Sequence, residues 1–357
     1  MRYVPTNFLK TGHKLASDLI FNQNRIMLRR GVPLTDGLIK RIEVLGFQGL
    51  YVDDRISKGI YVSDVISESL KMKTTNELRT FFNNAQSNNK TKAKQQLKTF
   101  KKLVKNIVDE VLYDPQVMVN IIDLRTYDDY TYSHSLNVAV LSVVMGTVLG
   151  MNRNTLGELA MGALMHDTGK MFVDKAVLNK PERLTPEEFE EMKRHSELGF
   201  DYLCENFDIP EASINTALYH HEQYDGKGYP SGMAGEDIHI YSRIVCVADV
   251  YDALTSDRPY RKAVLPSDAI EYIMSGYNTM FDPDVVKALT KKVAPYPVGT
   301  CVKLSSGQTA IVVKNSEETS LRPVVKMIED EKLTNKVLDL ARDRDALSIT
   351  IQEIVNL

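Results

Sequence analysis

Cysteine is scarce in this chain of 357 residues, and its scarcity excludes one way of stabilising a fold. The three cysteines, Cys204, Cys246 and Cys301, lie far apart and form no CxxC pair. An odd, scattered set does not suit a disulfide framework and indicates a reducing compartment. It also provides no thiolate cluster for a structural zinc site. We expect all three to be small buried apolar side chains.

A long apolar segment is also missing. The longest apolar run, from Val138 to Met151, is interrupted by two glycines and two hydroxyl residues. A membrane span needs about 20 mostly apolar residues, so this run is more typical of a buried helix. The N-terminal segment MRYVPTNFLKTGHK lacks the apolar core of a signal peptide. We therefore expect a cytoplasmic protein with no membrane span.

The chain has no strong excess of either charge. Its formal net charge is −3, so no overall positive field marks a DNA-binding or RNA-binding protein. A lysine-rich stretch from Asn88 to Lys105 could attract phosphate or an acidic membrane, but Leu97, Val104 and Ile107 recur within it at helical spacing. This pattern favours a solvated helix face. Its apolar stripe would pack either on its own domain or on a second chain.

Changes in residue pattern divide the chain into four parts. Residues 1–60 predict a small α+β unit, and residues 61–118 a helical linker region. Residues 119–294 show the periodicity of a larger all-α bundle. Short alternating runs separated by turns predict a small β-rich unit at 295–357. The fold class is therefore mainly α, with small β-containing units at both ends.

Local patterns predict individual elements within these parts. Leu19–Phe21 and Arg25–Leu28 flank a short polar turn and predict a hairpin. Thr35 is placed to cap a short helix. Short runs at 302–304, 310–313 and 323–328 predict three strands of the C-terminal unit, listed here in chain order.

Histidines are concentrated in the helical bundle. Two of the seven, His13 and His239, show no partner pattern, and we interpret them as surface residues. The other five lie on or beside apolar helical faces: His134, His166, His195, His220 and His221. Burying several imidazoles without compensation is costly. A metal ion removes that cost, because neutral imidazole nitrogen is a good ligand.

One of these histidines, His195, is predicted to lie on a helix with a clear start. Thr185 and Glu188 have the spacing of a capping box, with a proline between them at the first helical position. Phe189 and Leu203 are expected to belong to the buried stripe of this helix.

Aspartates accompany the histidines. Asp167 directly follows one of them, so it could bridge two metal ions. Asp249 lies in an otherwise apolar helical stretch, with Asp252 one turn later on the same face. An alternative for Asp249 is a buried ion pair with Arg258 or Arg261. Nitrogen and oxygen donors suit iron, manganese, cobalt, nickel or zinc.

Residues near this set favour a phosphorylated ligand. Lys170 lies three residues after Asp167 and can neutralise a phosphoryl oxygen. Arg258 and Arg261 can hold further phosphate oxygens through bidentate contacts. Tyr229, in the glycine-rich loop after the histidine pair, can stack on a planar base. The alternative for that loop is a surface turn that binds no ligand.

These motifs resemble a known family. His166–Lys170 (HDTGK) is similar to the HD-x-GK signature of the HD hydrolase superfamily, and His220–Pro230 (HHEQYDGKGYP) resembles the HD-GYP subgroup. The similarity continues through Asp249–Leu254 and Arg258–Arg261, and it covers roughly residues 120 to 290. The ordered set of motifs is far more specific than the HD pair alone.

The resemblance implies an all-α bundle with a site assembled from these motifs. It implies that Asp167 and Lys170 are catalytic residues and that Asp167 bridges the metals. The implied substrate contacts are Lys170, Tyr229, Arg258 and Arg261. The implied metal ligands are His134, His166, Asp167, His195, His220, His221 and Asp249.

The resemblance also implies a cofactor. We expect two divalent transition-metal ions, with iron or manganese as first choice and nickel, cobalt or zinc as alternatives. Some members of the family bind a third metal through a glutamate four residues before the first histidine. Tyr130 occupies that position here, and a phenol is a poor replacement for a carboxylate.

The implied function is hydrolysis of cyclic di-GMP to pGpG and/or GMP by two-metal activation of water. One alternative is an HD phosphohydrolase that acts on another nucleotide. The other is a non-catalytic cyclic di-GMP sensor or interaction module. A homodimer, or a signalling partner bound through the terminal or helical regions, is left open.

Overall fold

The computed structural model describes residues 1–21, 25–47, 49–85, 90–114, 118–119, 130–256, 263–330 and 332–357. Its helices, in chain order, are α1 Asp36–Val44, α2 Glu68–Ala85, α3 Lys90–Tyr113, α4 Tyr130–Val148, α5 Arg153–Met165, α6 Lys175–Leu178, α7 Pro186–Lys193, α8 His195–Asn206, α9 Glu211–Tyr219, α10 Ile240–Thr255, α11 Pro266–Ser275 and α12 Pro283–Lys292. The strands are β1 Arg2–Pro5, β2 Lys14–Leu15, β3 Leu19–Phe21, β4 Arg25–Leu28, β5 Gly49–Asp53, β6 Cys301–Leu304, β7 Thr309–Lys314, β8 Val324–Glu329, β9 Lys332–Asp339 and β10 Ile351–Ile354. The predicted class, mainly α with β-containing ends, is confirmed.

Helix α4 lies at the centre of the bundle. It packs against α2, α5, α10 and α12, and Val138, Leu141 and Met145 are completely buried. A helix that is apolar around most of its circumference can be stable only in such an interior position. The prediction of a buried helix in this run is confirmed. Among the described residues, none of the helices combines the length and hydrophobicity that crossing a bilayer requires.

Helix α3 packs its apolar stripe onto the same bundle. Val104, Ile107 and Val111 are buried in the core that also contains α4 and α5, whereas Lys101 and Lys102 are exposed. The interpretation of the lysine-rich stretch as a solvated helix face is confirmed for these residues. These residues of the stripe pack within the bundle of their own chain, which is the first of the two alternatives predicted.

The N-terminal segment forms a small three-stranded sheet, ordered β1-β5-β2, and a separate hairpin of β3 and β4. The strands of the predicted hairpin pair antiparallel, and the turn at 22–24 lies outside the described residues. The Thr35 side chain accepts a hydrogen bond from the Leu38 backbone N–H at 3.3 Å. The predicted cap of α1 is therefore confirmed.

The C-terminal segment forms a five-stranded antiparallel sheet, ordered β10-β6-β7-β8-β9. The three predicted strands correspond to β6, β7 and β8. The outer strands β9 and β10 carry few buried side chains, so they lack the apolar alternation from which strands are predicted. The predicted boundaries between the four parts of the chain stay a prediction.

The two ends of the chain share a small hydrophobic core. Ile56 and Ile60 pack with Val298, Ile311 and Ile328. These contacts join residues that are about 240 or more positions apart, and sequence periodicity carries no information at that distance.

Local predictions are wrong in three respects. The Thr185–Glu188 capping box is present, but α7 ends at Lys193 and His195 begins a new helix, α8. Phe189, on α7, is 48% exposed rather than buried. Among the cysteines, all free, Cys204 is exposed, whereas the other two are buried as predicted.

Gly162 generates a test of the contact between α5 and α9. A Cβ at this position would lie 2.7 Å from Thr216 Oγ1 and 2.9 Å from the Ser213 carbonyl oxygen. We expect Gly162→Ala to lower the free energy of unfolding by about 1–3 kcal/mol, because a backbone carbonyl can retreat only if α9 moves. Denaturant unfolding followed by circular dichroism measures this change.

Gly157→Ala on the same helix is the matched control. Its Cβ would meet only Val104 Cγ1, at an ordinary 3.8 Å. Alanine has the higher helix propensity, so this variant should be neutral or gain up to about 1 kcal/mol. Equal stability of the two variants would contradict a tight contact at Gly162.

Candidate metal centre

Helix ends converge on one buried point in the bundle. His166 caps the C-terminus of α5, His195 is the first residue of α8, and His220 caps the C-terminus of α9. His134 extends to the same point from α4, and Asp249 from α10. The structure thus brings together residues that span more than a hundred positions of sequence.

A close backbone contact holds two of these ends together. The short 3-10 helix Thr168–Phe172 follows Asp167 and lies against the start of α8. A Cβ on Gly169 would lie 1.8 Å from the His195 carbonyl oxygen. Only glycine fits there, so the glycine of the HDTGK motif sets the distance between Asp167 and His195.

One group of ligand atoms consists of His134, His166 and Asp167. Asp167 Oδ2 lies 3.7 Å from His134 Nε2 and 3.4 Å from His166 Nε2. Asp249 Oδ1 adds a fourth donor, 3.1 Å from His134 Nε2. All four side chains are buried.

A second group consists of His195, His220 and His221. His195 Nε2 lies 3.3 Å from His220 Nε2 and 3.2 Å from His221 Nε2. The other carboxylate oxygen of Asp167, Oδ1, lies 3.6 Å from His195 Nε2 and 3.9 Å from His220 Nε2. The Asp167 carboxylate therefore lies between the two groups, with one oxygen towards each.

The tautomers of three imidazoles decide whether a metal fits. The Nδ1 atoms of His166, His195 and His220 lie 2.7, 2.7 and 3.0 Å from the carbonyl oxygens of Ala163, Met192 and Ala217. A carbonyl oxygen only accepts, so each Nδ1 carries the proton and each neutral ring has its lone pair on Nε2.

These lone pairs have no proton to share. Those of His195 and His220 face each other at 3.3 Å. His166 Nε2 and Asp167 Oδ1 are buried and have no hydrogen-bond partner among the described residues. A divalent cation in each group would satisfy these atoms, so the donor set fits a metal centre of nitrogen and oxygen ligands.

His134 is oriented by a carboxylate instead of a carbonyl. Its Nδ1 lies 2.7 Å from Asp252 Oδ2, and Asn137 donates to the other oxygen at 2.5 Å. Burial alone would lower the pKa of His134, but hydrogen bonds to Asp249 and Asp252 raise it to about 9. Sequence analysis placed Asp252 on the correct helix face but assigned it no role.

The electrostatics of the remaining ligands favour metal binding. Burial, reinforced by the Lys170 charge, lowers the pKa of His195 to about 4. Burial and the neighbouring His195 lower the pKa of His221 to about 3. Burial alone would raise the pKa of Asp167, but Lys170 and His166 hold it well below its usual range. Near neutral pH His195 and His221 are therefore neutral and the Asp167 carboxylate is ionised, as metal coordination requires.

The predicted substrate contacts can be placed in part. Lys170 Nζ lies 2.5 Å from Asp167 Oδ2, with 26% of its side-chain surface exposed. The Tyr229 ring stacks on His221, with centroids 4.7 Å apart and an angle of 28°. Arg258 and Arg261 lie outside the described residues, as does the side chain of Tyr130.

Sequence reasoning missed two residues beside Tyr229. Lys193 Nζ lies 5.6 Å from the centroid of the Tyr229 ring, and the Phe189 ring lies edge-on to it at 6.4 Å. Both residues are on α7; Phe189 was predicted to be buried, and Lys193 was assigned no role. The exposure of Phe189 can be predicted only once it is known that α7 ends before α8 begins.

Comparison with known proteins supports the resemblance. The model of the HD domain family matches residues 116–285. A cyclic di-GMP phosphodiesterase of Pseudomonas aeruginosa is 38% identical over 244 residues, which cover 67% of this chain and 59% of that protein. A cyclic di-GMP phosphodiesterase of Thermotoga maritima is 34% identical over 245 residues, with coverages of 67% and 65%. The chain thus spans about three fifths of the length of these relatives.

A solved structure agrees in fold. An HDG"Y"P protein from Bdellovibrio bacteriovorus superimposes with a TM-score of 0.51 over 80% of this chain and 97% of that chain. The two are 19% identical, so this likeness concerns the fold alone.

The lowered histidine pKa values predict how the stability of the metal-free protein depends on pH. The unfolded chain protonates these imidazoles near their ordinary pKa of 6.5, whereas the folded chain protonates His195 only near pH 4 and His221 near pH 3. Stability should therefore fall as pH drops from about 6.5 to 4.5, by about 1.4 kcal/mol per pH unit for each imidazole. Denaturant unfolding of chelator-treated protein at several pH values measures this slope.

His195→Asn is the matched variant, because it removes one of the titrating groups. The dependence of its unfolding free energy on pH should be weaker by about 1.4 kcal/mol per pH unit, which corresponds to one proton fewer. His134, whose pKa is raised, loses its contribution only above pH 6.5 and so does not obscure this window. Identical slopes in the two proteins would contradict the assignment of a buried neutral imidazole at His195.

Proposed function

The chain belongs to the HD domain family, and from this we propose that it is a metal-dependent phosphodiesterase that hydrolyses cyclic di-GMP to pGpG and/or GMP. One observation carries the proposal. The two oxygens of Asp167 face two different groups of imidazole nitrogens, at 3.4–3.7 Å on one side and 3.6–3.9 Å on the other. A shared carboxylate between two ligand sets is the arrangement that a dinuclear centre needs.

In this proposal the centre holds two divalent transition-metal ions, with Asp167 as the common ligand. His134, His166 and Asp249 complete one set, and His195, His220 and His221 complete the other. The ions would supply an activated water near neutral pH and would neutralise charge on the phosphate. Iron or manganese is the first choice, since the donor set is imidazole and carboxylate, with nickel, cobalt and zinc as alternatives.

The protein's own residues would bind and orient the phosphodiester. The Lys170 ammonium lies at the partly exposed edge of the centre, where it can contact a phosphoryl oxygen as negative charge develops. Tyr229 stands beside the centre with Lys193 and Phe189 near its ring, and this surface can receive a guanine base. Arg258 and Arg261 would hold the far phosphate.

The ligand tautomers limit what the histidines can do. Because Nδ1 of His166, His195 and His220 is bound to a carbonyl oxygen, these rings have no free N–H directed at a substrate. They act as ligands and not as proton donors to the leaving oxygen.

The proposal is tested by turnover of cyclic di-GMP by anaerobically purified protein, with metal content measured on the same sample. We expect about two ions per chain and pGpG as the first product, followed by any GMP. Asp167→Ala should abolish turnover and lower the metal content, because it removes a ligand from both sets. Wild-type-like turnover by that variant would contradict the bridging role.

A panel of substrates distinguishes the alternatives. Hydrolysis of another cyclic dinucleotide in preference to cyclic di-GMP would keep the metal centre but reject the substrate. Binding of cyclic di-GMP without turnover, by protein loaded in turn with several metals, would favour a sensor.

Lys170 provides a separate prediction about the transition state. Lys170→Met should lower kcat by about 10²–10³-fold. It removes a preorganised positive charge that would stabilise the negative charge developing on the phosphoryl oxygens. The metal content should stay unchanged, because Lys170 is not a ligand. Lys175→Met, five residues away and exposed, is the control and should keep wild-type kinetics. A kcat within about threefold of wild type for Lys170→Met would remove this residue from the mechanism.

A further inference from the structure

Glu222 is buried beside the metal centre, and nothing in the proposed reaction uses it. The residue follows the ligand pair His220–His221 and is only 2% exposed. Its Oε1 accepts hydrogen bonds from the backbone N–H groups of Ser231 at 2.7 Å and Gly232 at 3.1 Å. A buried carboxyl group is costly unless it is bound, so these bonds point to a role within the loop from residue 222 to residue 232.

Hydrogen bonds to His221 and Glu222 hold the backbone at Tyr229 and just after it. The Tyr229 N–H donates to the His221 carbonyl oxygen at 3.3 Å. Pro230 has no N–H, so Ser231 is the first residue after Tyr229 that can donate, and Glu222 accepts that bond. The backbone is therefore anchored at two points: at Tyr229, by the His221 carbonyl oxygen, and at Ser231, by the Glu222 side chain.

The loop is also packed tightly against the backbone of residue 222. A Cβ on Gly228 would lie 2.4 Å from Glu222 Cα and 2.3 Å from Gln223 N. The chain thus passes directly over Glu222 before it reaches Tyr229. This course of the chain brings the Tyr229 ring onto the ring of His221, a ligand of the proposed centre.

The other oxygen of Glu222 faces the helices behind the loop. Glu222 lines a small pocket together with Arg243, Cys246 and Asp282. Glu222 Oε2 and Arg243 Nε are both buried without a hydrogen-bond partner among the described residues. Arg243 also pairs with Asp282, the N-cap residue of α12. The Glu222 side chain thus lies where the loop borders α10 and the start of α12.

We propose that Glu222 is a positioning residue, which holds the loop closed so that Tyr229 is set against His221 to receive a base of the substrate. Glu222 acts through Ser231 and Gly232 and does not touch the substrate. The substrate part of this inference rests on the proposed function, whereas the loop part does not.

The test compares two variants of similar volume. Glu222→Gln keeps an oxygen that accepts both backbone bonds, and Glu222→Met removes it. In metal-replete full-length Glu222→Met, hydrogen exchange at the Ser231 and Gly232 amides should accelerate about 10-fold or more, and KM for cyclic di-GMP should rise about 10-fold. Metal content should be unchanged and kcat should stay within about threefold. Glu222→Gln should match wild type in all four measurements.

Glu236→Met is the control, because Glu236 is an exposed glutamate shortly after the loop. It should change none of the four measurements.

Unchanged exchange and KM in Glu222→Met would overturn the proposal. A loss of metal and kcat together would also overturn it, since Glu222 would then support the centre itself. If Glu222→Met does not fold, Glu222→Ala is measured in its place. If the wild-type protein does not hydrolyse cyclic di-GMP, the proposed function fails, and amide exchange alone then decides the loop role of Glu222.

Discussion

The centre of this protein depends on one electrostatic constraint: lone pairs that face each other in a buried space need a cation between them. His195 Nε2 lies 3.3 Å from His220 Nε2, and the Nδ1 atom of each ring carries the proton. Protonating the rings would relieve this repulsion in water, but burial lowers the pKa of both. A metal is the remaining solution, and the ionised Asp167 between the two ligand groups adds the negative charge that favours it.

The helices present these lone pairs through a repeated local device. His166, His195 and His220 each bond through Nδ1 to the carbonyl oxygen three residues earlier. Carbonyl groups in the last turn of a helix lack intrahelical partners, which explains why these ligands lie at helix termini. His134 lies within α4, where the carbonyls are used by the helix itself, so its ring is oriented by Asp252 from α10. His134 therefore needs a long-range partner, whereas His166, His195 and His220 each need only a carbonyl oxygen three residues earlier in the chain.

The difference between local and long-range partners also explains which features of the site and fold could be predicted from the sequence. The histidines and Asp167 could be predicted because buried imidazoles and carboxylates on apolar faces are conspicuous, and a capping box or a hairpin is a local pattern. The pairing of His134 with Asp252 joins residues 118 positions apart, and the core shared by Ile56 and Ile311 joins opposite ends of the chain. Periodicity cannot report such contacts. The break before His195 was missed because the preceding turns are strongly helical.

A proposed metal ligand and the proposed base contact lie in one short stretch of chain. His221 is a proposed ligand, its carbonyl oxygen accepts the Tyr229 N–H, and its ring carries the Tyr229 ring. Glu222, the next residue, holds the backbone beyond Tyr229. A displacement of His221 therefore cannot leave Tyr229 in place, because both the ring contact and the backbone bonds move with it. Coordination of His221 would restrict the same degrees of freedom that base binding must otherwise restrict, so metal loading would lower the entropic cost of binding the substrate.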